Sequence, residues 1–121
     1  MRFISMIRVD ETTGQVPSEQ LMNDMGKLIE ELTRSKKLVS TAGLRPTSEG
    51  VRVILRGGRL SVRDGPFAET KEVIGGYAIL ETASKEEAIE LTRRFLKVHG
   101  DDWDIECEVR QLDGPEFGCT A

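Results

Sequence analysis

The order of hydrophobic and polar positions divides this chain into six strands and two helices. Arg2 to Val9 reads as a strand that is apolar on both faces, with Phe3, Ile7 and Val9 on one side and Ile4 and Met6 on the other. A polar loop follows from Asp10 to Pro17. Ser18 is an N-cap residue, and Glu19 sits in the first turn, where a carboxylate favours the positive helix end. The helix it opens carries Leu21, Met22, Met25, Leu28, Ile29 and Leu32 as an apolar stripe and runs into the basic residues Arg34, Lys36 and Lys37. Leu38 to Leu44 reads as a short strand closed by Arg45-Pro46.

The middle of the chain holds the clearest hairpin. Val51–Arg56 and Arg59–Arg63 flank Gly57-Gly58, and two glycines supply the two positive-φ positions of a type I′ turn. With Gly57-Gly58 as the whole loop, Leu55 faces Leu60 and Val53 faces Val62, while Arg52 falls opposite Arg63 and Arg56 opposite Arg59. Alternation then sets Leu60, Val62 and Asp64 on one face. Val73 to Thr82 is a strand that is again apolar on both sides. Ser84 and Glu87 form a capping box, and the helix behind them turns Ala88, Leu91, Phe95 and Leu96 inward before Gly100 ends it. Asp104 to Leu112 alternates, with Ile105, Cys107 and Val109 in and Glu106, Glu108 and Arg110 out.

This order predicts an α+β fold of the split βαβ, ferredoxin-like layout with an added β-hairpin. It forms one domain over residues 1–112, followed by a turn-rich, loose tail at 113–121. Two helices cover one face of such a sheet, yet two strands are apolar on both. A second copy is the simplest cover, so a homodimer with sheets face to face around a small space is expected.

Composition narrows the function. The 121 residues carry 17 Lys+Arg against 21 Asp+Glu, for a net charge of −4. That balance argues against direct nucleic-acid binding. No apolar run reaches membrane-spanning length, and the N-terminal run lacks a signal h-region, so no membrane association and a cytoplasmic location are expected. Cys107 and Cys119 form no CxxC unit and, with one histidine, give no zinc pattern; neither a metal nor another cofactor is expected.

Residues Asp64-Gly65-Pro66-Phe67-Ala68-Glu69-Thr70-Lys71-Glu72 are unlike a generic loop. With Thr41-Ala42-Gly43-Leu44-Arg45-Pro46, the Gly-Gly hairpin, Val73-Ile74-Gly75-Gly76-Tyr77 and Ser84-Lys85-Glu86-Glu87-Ala88, this stretch resembles the DGPF-domain family of the YCII-related superfamily. The resemblance implies a dimeric α+β barrel of ferredoxin-like subunits. It also implies relatives found beside or fused to sigma factors, and hence a non-enzymatic module of sigma-factor-dependent transcription as one reading. A histidine–aspartate pair is suggested for the YCII branch, but the only histidine here, His99, matches no motif position. Asp64 is carried over as the motif aspartate.

The other reading is a small molecule bound in a barrel pocket around Asp64, with proton transfer as the reaction class, since no nucleophile–base pair, metal cluster or nucleotide loop is evident. Asp64 is either a turn residue or a general base among apolar neighbours. Phe67 is a core or dimer anchor, or a pocket wall. The charged run is either a solvated rim or a cavity mouth lined by Glu69 and Lys71, with Lys71 pairing to Asp64. Arg52 and Arg63 either splay into water or, joined by Arg45, bind a phosphate or carboxylate. Gly75-Gly76 marks close packing or a space for a ligand, with the Tyr77 hydroxyl as a hydrogen-bond donor.

Overall fold

Secondary structure follows the hydrophobic pattern closely. The computed structural model describes residues 1–67 and 71–114, so the expectations for Glu69 and for the tail from Pro115 onward lie outside the described residues. The elements are β1 (Arg2–Val9), α1 (Glu19–Arg34), β2 (Leu38–Gly43), β3 (Val51–Arg56), β4 (Arg59–Asp64), β5 (Val73–Glu81), α2 (Lys85–Lys97) and β6 (Glu106–Gln111). Four strands form one antiparallel sheet in the order β2-β5-β1-β6, and β3 pairs with β4 as a separate two-stranded ribbon. Two helices and this strand order are consistent with a ferredoxin-like α+β fold.

The helices start and stop where their caps dictate. The Ser18 hydroxyl accepts from the Leu21 N–H at 3.0 Å, and the Ser84 hydroxyl accepts from the Glu87 N–H at 3.1 Å. Glu87 reaches back to the Ala83 N–H at 3.1 Å and accepts from Lys37 at 3.0 Å, which ties the start of α2 to the entry of β2. At the C-terminus of α1, Lys36 adopts φ 62°, and Lys37 N–H closes on the Leu32 carbonyl at 2.9 Å. The expected stripe of α1 is buried at Leu21, Leu28 and Leu32, but Met22 is 64% exposed. Met22 has helical spacing to Met25 and Ile29, which pack against the core, but itself stays in solvent.

The sheet meets the helices in three transverse rows fixed by strand register. Leu38, Leu80 and Phe3 align across β2, β5 and β1; all three are buried and pack with Leu28 and Leu32 of α1 and Ala88, Leu91 and Phe95 of α2. The next row is Thr41, Ala78, Ser5 and Val109. The last is Gly43, Gly76, Ile7 and Cys107. Side-chain bulk therefore falls from one end of the sheet to the other.

The opposite face presents Ile4, Met6, Tyr77 and Ile79 along its two central strands, all half-buried and outside the helix-side core. The ribbon has the register expected from its Gly-Gly turn, Val53 opposite Val62, Leu55 opposite Leu60 and Arg52 opposite Arg63. Its apolar row is open: Val51, Val53, Leu55, Leu60 and Val62 are 56–75% exposed.

These burials set a test of the core. Leu80→Ala removes a side chain with no exposed surface, and should cost roughly 2–5 kcal/mol in urea unfolding. Met22→Ala should change stability by less than about 0.5 kcal/mol.

Candidate functional site

The Asp-Gly-Pro-Phe segment is where the ribbon returns to the sheet. Gly65 donates its N–H to the Gly50 carbonyl at 2.9 Å, and the Gly65-Pro66 peptide is cis. A Cβ on Gly65 would fall 1.7 Å from the Thr47 carbonyl oxygen, so the two backbones touch where no side chain fits. The Phe67 N–H donates to the Thr47 hydroxyl at 3.4 Å, and the Phe67 ring lies against Gly50. Glu11 accepts from both the N–H and the hydroxyl of Thr47. The motif thus clamps the base of the ribbon onto the turn at Thr47–Glu49 and, through Glu11, onto the loop after β1.

Phe67 also carries a cation. The Arg52 guanidinium sits 3.9 Å from its ring centroid. Stacking on the negative ring face is worth about 0.5–1 kcal/mol at an exposed site, and it draws Arg52 toward the ribbon base rather than straight across to Arg63. Arg45 is held by Glu49 through two bonds of 2.9 and 3.2 Å, which raise its already high pKa. Arg45, Arg52 and Phe67 line one cavity of about 400 Å³, with Glu72 on its rim and Leu44, Val73 and Ile74 as its apolar wall.

The other expected residues stand apart from this cavity. Asp64 pairs with Val51 in the ribbon and, by strand alternation, belongs to the apolar row, on the opposite face from Arg52 and Arg63. It is exposed. Arg63 shares the face of Arg52 but does not line the cavity. Tyr77 lies in the open sheet face opposite Met6. Lys71 makes no ion pair with Asp64; instead its charge acts on Asp10, whose carboxyl is held below the usual carboxylate range chiefly by hydrogen bonds from Thr12. The expected Lys71–Asp64 pairing is therefore corrected, because Lys71 lies where its charge acts on Asp10 in the loop after β1. Thr47, Glu11 and Glu49 carry no expectation from the sequence, and Glu72, expected to face away from a cavity mouth lined by Glu69 and Lys71, lines this cavity. Thr47 opens the short turn Thr47–Glu49 directly after Pro46, whose fixed φ is the readable signal.

Gly75-Gly76 does mark an irregularity. The β1–β5 register skips between Ile7 and Arg8, so Gly75 is the extra residue of a bulge, and a Cβ there would meet Val9 at 2.8 Å. Among the described residues no group of three or more His, Cys, Asp or Glu could hold a metal ion, and no helix is long and apolar enough to cross a membrane.

The fold and loop define a small α+β domain built around a clamped hairpin. Residues 1–98 match the YCII-related domain, and the chain belongs to that family, for which DGPF is a further description. It is also 35% identical over 75 residues to an uncharacterised protein of Rhizobium meliloti (strain 1021). That match takes in 62% of this chain and 60% of the relative, so the chain spans about three-fifths of the relative's length.

The clamp predicts opposite outcomes for two glycines. Gly65→Ala should destabilise the fold by about 1–3 kcal/mol or more in thermal or urea unfolding, because backbone must move. Gly26→Ala, within α1 with nothing within 4 Å of the new Cβ, should stabilise by about 0.5–1 kcal/mol.

Proposed function

We propose that this YCII-related protein binds a small anionic molecule, a carboxylate or phosphate that also carries a hydroxyl or amino donor, in the cavity beside the Asp-Gly-Pro-Phe loop. The observation that carries this reading is the convergence of Arg45, Arg52 and Phe67 on one cavity of about 400 Å³. A guanidinium pre-placed on an aromatic ring presents its N–H groups with little further ordering. The apolar wall takes the carbon skeleton, and Glu72 on the rim accepts from the donor. Binding rather than turnover is the better reading of this cavity, because Asp64, the expected base, lies on the other face of the ribbon.

In a thermal-shift screen of hydroxycarboxylates, amino acids and inorganic phosphate, at least one should raise the melting temperature in a saturable way. Arg52→Ala should weaken that ligand roughly tenfold or more, the loss of a charge-assisted hydrogen bond of about 1.5–3 kcal/mol. Asp64→Asn should leave it unchanged. A ligand whose affinity survives Arg52→Ala, or a screen in which no anion binds, removes the reading.

We further propose that the protein acts as a homodimer in which a second copy covers the open apolar surfaces. Five large apolar side chains on one face of a two-stranded ribbon support this, since such a ribbon is marginal alone in water. In that dimer Asp64 ends the covered row. Its carboxylate is there the group placed for proton transfer. Sedimentation equilibrium should give a dimer at micromolar concentration, and the pair Val53→Glu and Leu60→Glu should give a folded monomer. A monomeric parent chain would dismiss the arrangement.

A further inference from the structure

The last of the three rows beneath the helices lacks side chains at its β2 and β5 positions. Gly43 and Gly76 lie next to each other in register on β2 and β5, where the first row has Leu38 and Leu80. Met25 and Ile29 of α1 and Phe95 of α2 roof this end, and the gap between roof and sheet is about 350 Å³. Close packing accounts for only some of the glycines. A Cβ on Gly76 would meet the Ala42 carbonyl oxygen at 3.0 Å, and one on Gly75 would meet Val9 at 2.8 Å. A Cβ on Gly43 would meet nothing nearer than the Gly75 carbonyl oxygen at 3.9 Å. The fold has room for a side chain at Gly43 and leaves it unfilled.

The chemistry of the lining is as selective as its shape. It holds no charged side chain. Strand register turns the Tyr77 side chain to the other face, so the polar side chains on this side are the hydroxyls of Ser5 and Thr41 and the thiol of Cys107. Thr41 donates its own proton to the Tyr77 carbonyl at 2.9 Å, which leaves its oxygen lone pairs to accept. Burial pushes the Cys107 thiol up, so it stays protonated at neutral pH and is a weak donor. An ion placed here would lose its hydration with no counter-charge to replace it. An apolar cavity of about 150 Å³ already takes benzene, so one more than twice that volume takes roughly a two-ring aromatic or a medium-length alkyl chain.

We infer that the cleft above Gly43 and Gly76 is a binding site for an uncharged, largely apolar small molecule bearing one hydroxyl or carbonyl group, bonded by Thr41 at the β2 end while its apolar body reaches across the sheet toward Cys107 on β6. This site is separate from the arginine-lined cavity, and its occupant has the opposite chemistry.

The test uses the full chain carrying Cys119→Ser, so that Cys107 is the only thiol, with N-phenyl-1-naphthylamine as the neutral probe. Its fluorescence should rise saturably, and bound dye should slow alkylation of Cys107 by iodoacetamide several-fold. 1-Octanol should displace the dye roughly tenfold more effectively than octanoate, because a charged end is excluded. Gly43→Val fills the open space and should weaken the dye by roughly tenfold or more, while Arg52→Ala should bind it like the parent. Unchanged alkylation of Cys107 at saturating dye would overturn the proposal. So would undiminished dye binding by a folded Gly43→Val chain, or loss of the dye in Arg52→Ala. Should Gly43→Val fail to fold, the protection of Cys107 decides the matter alone.

Discussion

Everything else in this protein hangs on the register of β1 between β5 and β6. Ile7 pairs with Gly76 on one side and with Cys107 on the other, and Phe3 pairs with Leu80. Because side chains alternate, a slip of one residue would turn Phe3 and Ile7 to the open face and bring Ile4 and Met6 under the helices. The bulge at Gly75 matters for the same reason. It absorbs one residue of β5 just where β1 ends, so the helix-facing phase of the central pair is kept along its length while the strand ends twist apart. From this single register follow the closed row, the small and polar middle row and the glycine row. Core and cleft are two ends of one arrangement.

The Asp-Gly-Pro-Phe loop solves a separate problem. A hairpin inserted between β2 and β5 must leave the sheet and come back without straining either strand. The return is made by backbone contact: Gly65 rests on Thr47, and Phe67 packs on Gly50. The ribbon that results has two unlike faces. Four of the chain's 17 basic residues, Arg52, Arg56, Arg59 and Arg63, lie on one face, and the exposed valines and leucines lie on the other. The rest of the chain is correspondingly more acidic than its net charge of −4 suggests. The arginine face is tolerable because its charges need not meet. Arg52 is drawn off onto the Phe67 ring, and water screens exposed like charges within about a Debye length.

Strand and helix positions were legible because periodicity reports burial directly, and the Gly57-Gly58 turn was enough to set every pair of the ribbon. That same register also places Asp64 and Arg52 on opposite faces, so their grouping into one site was inconsistent with the alternation already in hand. Met22 has the same helical spacing as Met25 and Ile29, which pack on the core, so spacing alone does not separate them. Other features had no local signal. The contact of Gly65 with Thr47 joins residues far apart in sequence, and a glycine does not announce what it touches. Lys71 acting on Asp10 joins residues some sixty positions apart, which no local pattern signals. The emptiness at Gly43 shows only when Gly76 is seen beside it.

The two cavities lie back to back. On β2, Gly43 faces the helix-side cleft and its neighbour Leu44 walls the arginine-lined cavity; on β5, Gly75 and Ile74 divide in the same way. The Leu44 N–H bonds to the Gly75 carbonyl at 2.9 Å, so one hydrogen-bonded backbone pair is shared by both walls. Glycines give that wall little side-chain mass to hold it in place. The alternation that separates a polar from an apolar site thus also makes each the other's neighbour, through a partition one backbone thick.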